Sequence, residues 1–211
     1  MKNYFSSSTL GAQLFLIISL LGSILGVYIY GLSATELLLV LLGYFVYGCL
    51  GIVITYHRQL THNSYKTYPW LTKILSVVGC FAGTGSPLAW VAIHINHHLK
   101  SDKPEDPHSP LHKGVKIFTL DYVNEVSADT KWRMRDLVTD KFQQFLHRYY
   151  FAIIALYSIV LFMIGGFWLM VFLHWTPALI TGLMSNVAVS YTHLRAHETG
   201  RNLVCRLLLE K

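Results

Sequence analysis

Five histidines hold most of the chemistry legible in this chain. His94, His97 and His98 form an H-x-x-H-H cluster inside WVAIHINHHLKSDKPEDPHSP, and His57 and His62 form a second group upstream in YHRQLTH. On a helix, residues three and four apart share a face, so the three downstream imidazoles point at one volume. Neutral imidazole is the commonest protein ligand for transition metals. His57 and His62 are five apart, about 140° around an α-helix. Both reach one site only if the helix end unwinds or the site lies between them. Neither cluster has a cysteine beside it, and there is no H-E-x-x-H helix, which disfavours a zinc hydrolase. Five imidazoles exceed what one four-coordinate zinc needs, so a two-metal centre is the economical reading. Ligand type alone leaves iron, copper, zinc and nickel open. His112, His147 and His174 read as structural, and His108 lies near enough to stand behind the ligands.

The elements that must position these clusters are membrane helices. The chain is 53% hydrophobic and only 13% charged, against about 25% charged in soluble domains. Apolar runs at about 12–30, 37–56, 150–164 and 167–187 are each long enough, or nearly so, to cross a bilayer. The expected fold is an all-α integral membrane protein of four transmembrane helices in two hairpins, with a cytosolic cap holding both His clusters. The first hairpin closes at Glu36 and the second at Gly165–Gly166. Residues 69–93 are apolar too, but Gly79, Gly83, Gly85 and Pro87 interrupt them. A lipid-exposed span rarely breaks this way. Two shorter helices are expected there, one interfacial and one carrying His94, His97 and His98, which keeps both clusters on one side.

Charge agrees with that placement. Residues 56–149 hold 12 Lys/Arg and 8 Asp/Glu, whereas residues 3–56 hold Glu36 alone. A basic excess confined to one loop beside membrane segments is the positive-inside pattern, not a nucleic-acid patch. Within that loop, Phe142, Phe145, Leu146 and Tyr149 recur at helical spacing, with Gln143 and Gln144 off the stripe, and predict an amphipathic helix on the membrane face. Cys49, Cys80 and Cys205 have no disulfide or zinc spacing; the first two read as small buried hydrophobes.

After Ala188 the apolar periodicity stops. The segments VSYTHLRAHET and LVCRLLLEK within 189–211 look like the translation of a sequencing adapter. The expectation is a native domain over 1–188, incomplete at its C-terminus, followed by a non-native tail. Without that tail the net charge falls from +6 to +4.

His57-Arg-Gln-Leu-Thr-His62 resembles the H-R-x-x-x-H box of the membrane fatty acyl desaturases of the stearoyl-CoA desaturase type. His94-Ile-Asn-His97-His98 resembles their H-x-x-H-H box, with Ile95 and Asn96 departing from the more common H-R-x-H-H. Asp106-Pro107-His108-Ser109 resembles the D-P-H segment that follows. The resemblance covers about 37–187. It implies two iron ions held by His57, His62, His94, His97 and His98, with Asp106, His108 and Asn186 as candidates to support them. It further implies dioxygen-dependent insertion of a double bond into a fatty acyl chain, most readily acyl-CoA, with electrons from a ferredoxin or a b-type cytochrome. The family's third box, another H-x-x-H-H after the fourth span, is not in this sequence. The chain as given is therefore expected to lack desaturase activity. A membrane di-iron hydroxylase is the competing enzyme reading, although those mostly have three residues within the first box, and here there are four. A non-enzymatic membrane metal-binding protein would carry ligands inside its spans, where only Glu36 and His174 come close.

Overall fold

The computed structural model describes residues 7–101, 103–106, 108, 109, 112 and 126–185. Every regular element among them is helical. Helix α1 (Ser7–Tyr30) is followed by a tight turn and α2 (Ala34–Gly43), which continues unbroken as a π-wound segment, Tyr44–Thr61. Then come α3 (Pro69–Cys80), α4 (Pro87–Lys100), α5 (Ala128–Arg133), α6 (Arg135–Thr139), α7 (Lys141–Arg148) and α8 (Tyr150–Met170). Helix α8 passes into a second π-wound segment, Val171–Trp175, and helical winding continues to residue 185.

Three stretches are long and apolar enough to cross a membrane, Gly11–Tyr30, Ala34–Thr61 and Tyr150–Ser185. Their outward faces are leucine, isoleucine and phenylalanine, as at Leu21, Leu38 and Phe162, a surface suited to lipid rather than water. The protein is an all-α membrane protein.

The third stretch contains both of the last two expected runs, and it is not straight. At Gly165 and Gly166 the backbone leaves the helical region, Gly166 with φ +67, a conformation open to glycine at little cost. Ser158 Oγ lies 3.0 Å from His174 Nδ1, sixteen residues on, where a straight helix would separate them by about 24 Å. The chain therefore turns back on itself, and Trp175 Nε1–H also donates to Ser158 Oγ at 3.2 Å. The returning segment lies against both α1 and α2: Trp175 sits on Gly22, Val171 on Gly26, and Pro177 with the Leu173 carbonyl on Gly43. Small residues let helix backbones approach this closely.

The turn before α2 is fixed by a capping box. Glu36 Oε2 accepts from the Ser33 N–H at 2.9 Å and from its hydroxyl, and Ser33 Oγ accepts from Thr35 N–H. Glu36 Oε1 also accepts from Trp168 Nε1–H at 2.8 Å, which ties the first turn to the second.

Residues 69–93 form two helices, α3 and α4, broken at Phe81–Ser86. Helix α3 crosses the π-wound segment where Gly51 meets the backbone of Gly79. The amphipathic segment forms as α7, but its stripe divides differently from the sequence pattern. Leu146 and Gln143 are buried, and Gln143 Nε2–H donates to Ser76 Oγ at 3.1 Å, whereas Phe145 and Tyr149 are exposed. A helix lying between protein and lipid has two apolar faces, and the polar Gln143 is buried because α3 offers it a partner. Cys80 is buried and Cys49 half-buried.

Candidate metal centre

Helix α4 is started by its sequence. Ser86 is the N-cap, its Oγ accepting from Ala89 N–H at 3.3 Å, and Pro87 occupies the first turn, where its missing N–H costs nothing. Leu88, Val91, Ala92 and Ile95 follow at i, i+3, i+4 and i+7 and are buried with Met134. That stripe fixes the rotation of the helix, so His94 and His98, one turn apart, look along a neighbouring face.

The opposing face comes from the π-wound segment. His62 N–H donates to the His57 carbonyl five residues back at 3.2 Å, the backbone bond of π-winding, and the Thr61 hydroxyl adds a side-chain bond to the Tyr56 carbonyl at 2.8 Å. In a helix wound by such bonds, residues five apart return nearly to one face. The helix end therefore does not unwind to bring His57 and His62 together: the wider winding does it, and their rings stand 4.7 Å apart between centroids.

His57, His62, His94 and His98 converge, with one ligand nitrogen from each lying within 4.8 Å of every other. His94 Nε2 and His98 Nε2 are 3.0 Å apart. The ring centroids of His94 lie 4.7 Å from His57, 5.5 Å from His62 and 4.6 Å from His98, each pair near perpendicular. Burial, above all, and the surrounding imidazoles push His94 down to about 2, so it is neutral at any physiological pH, as a metal ligand must be. Metal–imidazole bonds of about 2.1 Å hold two nitrogens at most about 4.2 Å apart across an ion. A cluster spanning 4.8 Å thus needs only a small contraction to close on one ion. The four residues fit a His-ligated transition metal, and no thiolate or carboxylate competes among them.

His97 stands beside this group rather than in it. Its Nδ1 is 2.7 Å from Asp106 Oδ1, with both side chains 2% exposed. The same carboxylate oxygen accepts from the His108 N–H at 2.9 Å. A buried carboxylate on Nδ1 keeps the proton there and leaves Nε2 as the basic nitrogen. The His108 ring lies 5.3 Å from that of His97. Asn186, the other candidate for a supporting role, lies outside the described residues, as does the whole of 189–211. His112 is exposed.

Several neighbours were not singled out by the sequence. Trp90, one turn before His94, stacks on its ring at 4.7 Å and 23° and reaches His57 edge-on at 6.2 Å. Tyr56, fully buried, backs Trp90 at 6.0 Å and donates from its hydroxyl to the Ser76 carbonyl at 2.9 Å. The i, i+4 spacing of Trp90 and His94 was the available signal. Asn96 is 3% exposed, and among the described residues neither its Oδ1 nor its Nδ2 has a hydrogen-bond partner. Burying an unpaired amide costs on the order of 1–3 kcal/mol. Asn96→Leu is therefore expected to raise the thermal unfolding midpoint in detergent while leaving metal affinity within about twofold. A fall in the midpoint would count against an unpaired amide.

The comparisons agree with the motifs. The family model for fatty acid desaturases matches residues 33–204. The chain is 37% identical over 129 residues to a protein of Anabaena variabilis named sn-1 stearoyl-lipid 9-desaturase, covering 60% of this chain and 47% of that one. It is 32% identical over 170 residues to an acyl-CoA 5-desaturase of Anemone leveillei, covering 74% and 51%. A delta-9 acyl-lipid desaturase of Arabidopsis thaliana is 33% identical over 125 residues, covering 56% and 40%. The chain thus spans about half the length of the curated relatives it matches. With two histidine boxes meeting at one volume and a family match over most of its length, this chain belongs to the fatty acid desaturase family.

Proposed function

We propose that this chain provides the first two boxes of a His-ligated iron centre that inserts double bonds into fatty acyl chains with dioxygen. The observation that carries the reading is the convergence of His57 and His62 with His94 and His98. Iron bound there supplies the one-electron and dioxygen chemistry needed to take hydrogens from an unactivated methylene. His57, His62, His94 and His98 hold the ion, and Asp106 keeps the proton on His97 Nδ1 and so orients that ring beside them. Trp90 and Tyr56 form an aromatic wall that excludes water from behind His94. The chain reversal at Gly165–Gly166 divides the third apolar stretch into two crossings, giving four in all. The basic loop excess orients the boxes to the cytoplasm, where a ferredoxin or b-type cytochrome delivers electrons. Lysines and arginines of that loop suit an acidic acyl carrier, and acyl-CoA is the favoured substrate.

Two ions need more donors than five histidines, and the sequence has no second H-x-x-H-H. Purified from iron-supplemented cells, the chain is expected to hold about one iron by elemental analysis. It is also expected to form no double bond in membranes supplied with an electron donor. Iron below about a tenth of an equivalent would sink the metal centre, and a new unsaturated acyl product would sink the donor count. Asp106→Ala is expected to loosen the His97 ring and lower the unfolding midpoint of the metal-free protein, while metal affinity at the four-imidazole cluster falls by less than about tenfold.

A further inference from the structure

His147 has no part in the two boxes, yet it reaches the start of the helix that carries one of them. Its Nδ1 is 2.5 Å from Ser86 Oγ, sixty-one residues away in sequence. Ser86 is the N-cap of α4, and its Oγ already accepts from Ala89 N–H. A hydroxyl has one proton and two lone pairs, so Ser86 Oγ can hold Ala89 N–H and His147 Nδ1 at once. One hydroxyl therefore joins two functions: it closes the first turn of α4, and it fastens that turn to α7. Without the second partner the hydroxyl is free to rotate away from the cap.

The attachment is reinforced on the preceding residue. Gly85 N–H donates to the Tyr150 hydroxyl at 2.8 Å, and Tyr150 is the first residue of α8. Gly85 has φ +124, so this peptide is held in a conformation that side-chain-bearing residues rarely adopt. A chain that makes such a turn just before a metal-binding helix needs an external anchor, since the turn itself does not fix where the helix points. Ser86 is 2% exposed and His147 half-buried, so the bond is partly shielded from water, which strengthens it. From Ser86 to His94 is eight residues, about 12 Å of helix, a length over which a small tilt at the cap becomes a displacement of the imidazoles. Metal sites tolerate displacements of only about 0.2 Å in bond length.

We infer that His147 is a positioning residue: through Ser86 it sets the direction of α4 and so the meeting of His94 and His98 with His57 and His62. The inference rests on the reading of that cluster as a metal centre, and half of its test does not depend on metal. The full chain is purified metal-free in detergent as wild type and as H147L, H147N, S86A and the S86A/H147L double variant. Asparagine offers an amide oxygen or nitrogen close to the position of Nδ1, whereas leucine keeps bulk with no hydrogen-bonding group. Hydrogen exchange at the Ala89 and Trp90 amides is expected to speed up in H147L and S86A and to stay near wild type in H147N. Titration with cobalt(II), read by its visible absorption, should show affinity about tenfold weaker in H147L and S86A and a shifted band. H147N should bind within about twofold of wild type. The double variant should be no worse than either single one, because both remove the same bond. Wild-type exchange in H147L and S86A, equal damage by H147N and H147L, or additive losses in the double variant would each overturn the inference. If the wild type binds no cobalt, the metal centre falls, and the exchange pattern still decides whether His147 anchors α4.

Discussion

His94→Ala is expected to abolish metal binding by the whole cluster. His94 is the imidazole around which the others are arranged, close to His57 and His62 on one side and 3.0 Å from His98 Nε2 on the other. It is also the only one of the four that is buried, so no solvent-borne ligand replaces it readily. Removing an outer partner of a ligand typically costs 10–100-fold in affinity, and losing a central ligand is expected to exceed about 100-fold. The metal-free fold should lose stability only modestly by comparison. His94 is held neutral by burial among other imidazoles, and its removal relieves that crowding while leaving a cavity beneath Trp90. Cobalt titration together with thermal unfolding of the metal-free protein separates the two effects. His112→Ala, at an exposed residue, is the matched control and should bind as wild type. Equal losses from both substitutions would mean that the cluster is not the binding site.

The second large effect is expected far from any ligand. A β-carbon on Gly51 would lie 2.6 Å from Gly79 Cα and 2.8 Å from its nitrogen. Both obstacles are backbone, so no rotamer change relieves the clash. Overpacking commonly costs about 1–3 kcal/mol, and here the displaced elements are the π-wound segment that carries His57 and the helix braced against Tyr56. Gly51→Ala is expected to lower the unfolding midpoint by several degrees and weaken cobalt binding with it. Gly51→Val should leave no folded monomer on size exclusion in detergent. Gly79→Ala meets the Tyr56 ring instead, at 2.5 Å, and a ring can give somewhat, so its loss should be smaller. If Gly51→Ala proves neutral, the crossing is looser than these distances require.

Much of this was written in the chain. The five box histidines, the apolar runs, the break between Cys80 and Pro87 and the amphipathic 140–149 segment all follow from spacing and residue type. These are local properties: a glycine pair or a proline ends a helix wherever it stands, and a three- or four-residue spacing always shares a face. The role of Gln143 was not legible, because a polar residue is buried only where a partner elsewhere accepts it, here Ser76. Nor was the role of His147, since its partner Ser86 is sixty-one residues away.

The sequence by itself determined that this is a helical membrane protein with two histidine clusters of metal-ligand type, because composition and short-range spacing leave little else. The tertiary structure decided how the clusters meet. On an ordinary α-helix His57 and His62 diverge; the π-wound segment, packed through Gly51 onto α3, turns them to one side. It also decided that His97 stands with Asp106 while His57, His62, His94 and His98 converge. Helix winding and the direction of α4 depend on what packs against each segment, and those partners come from distant parts of the chain.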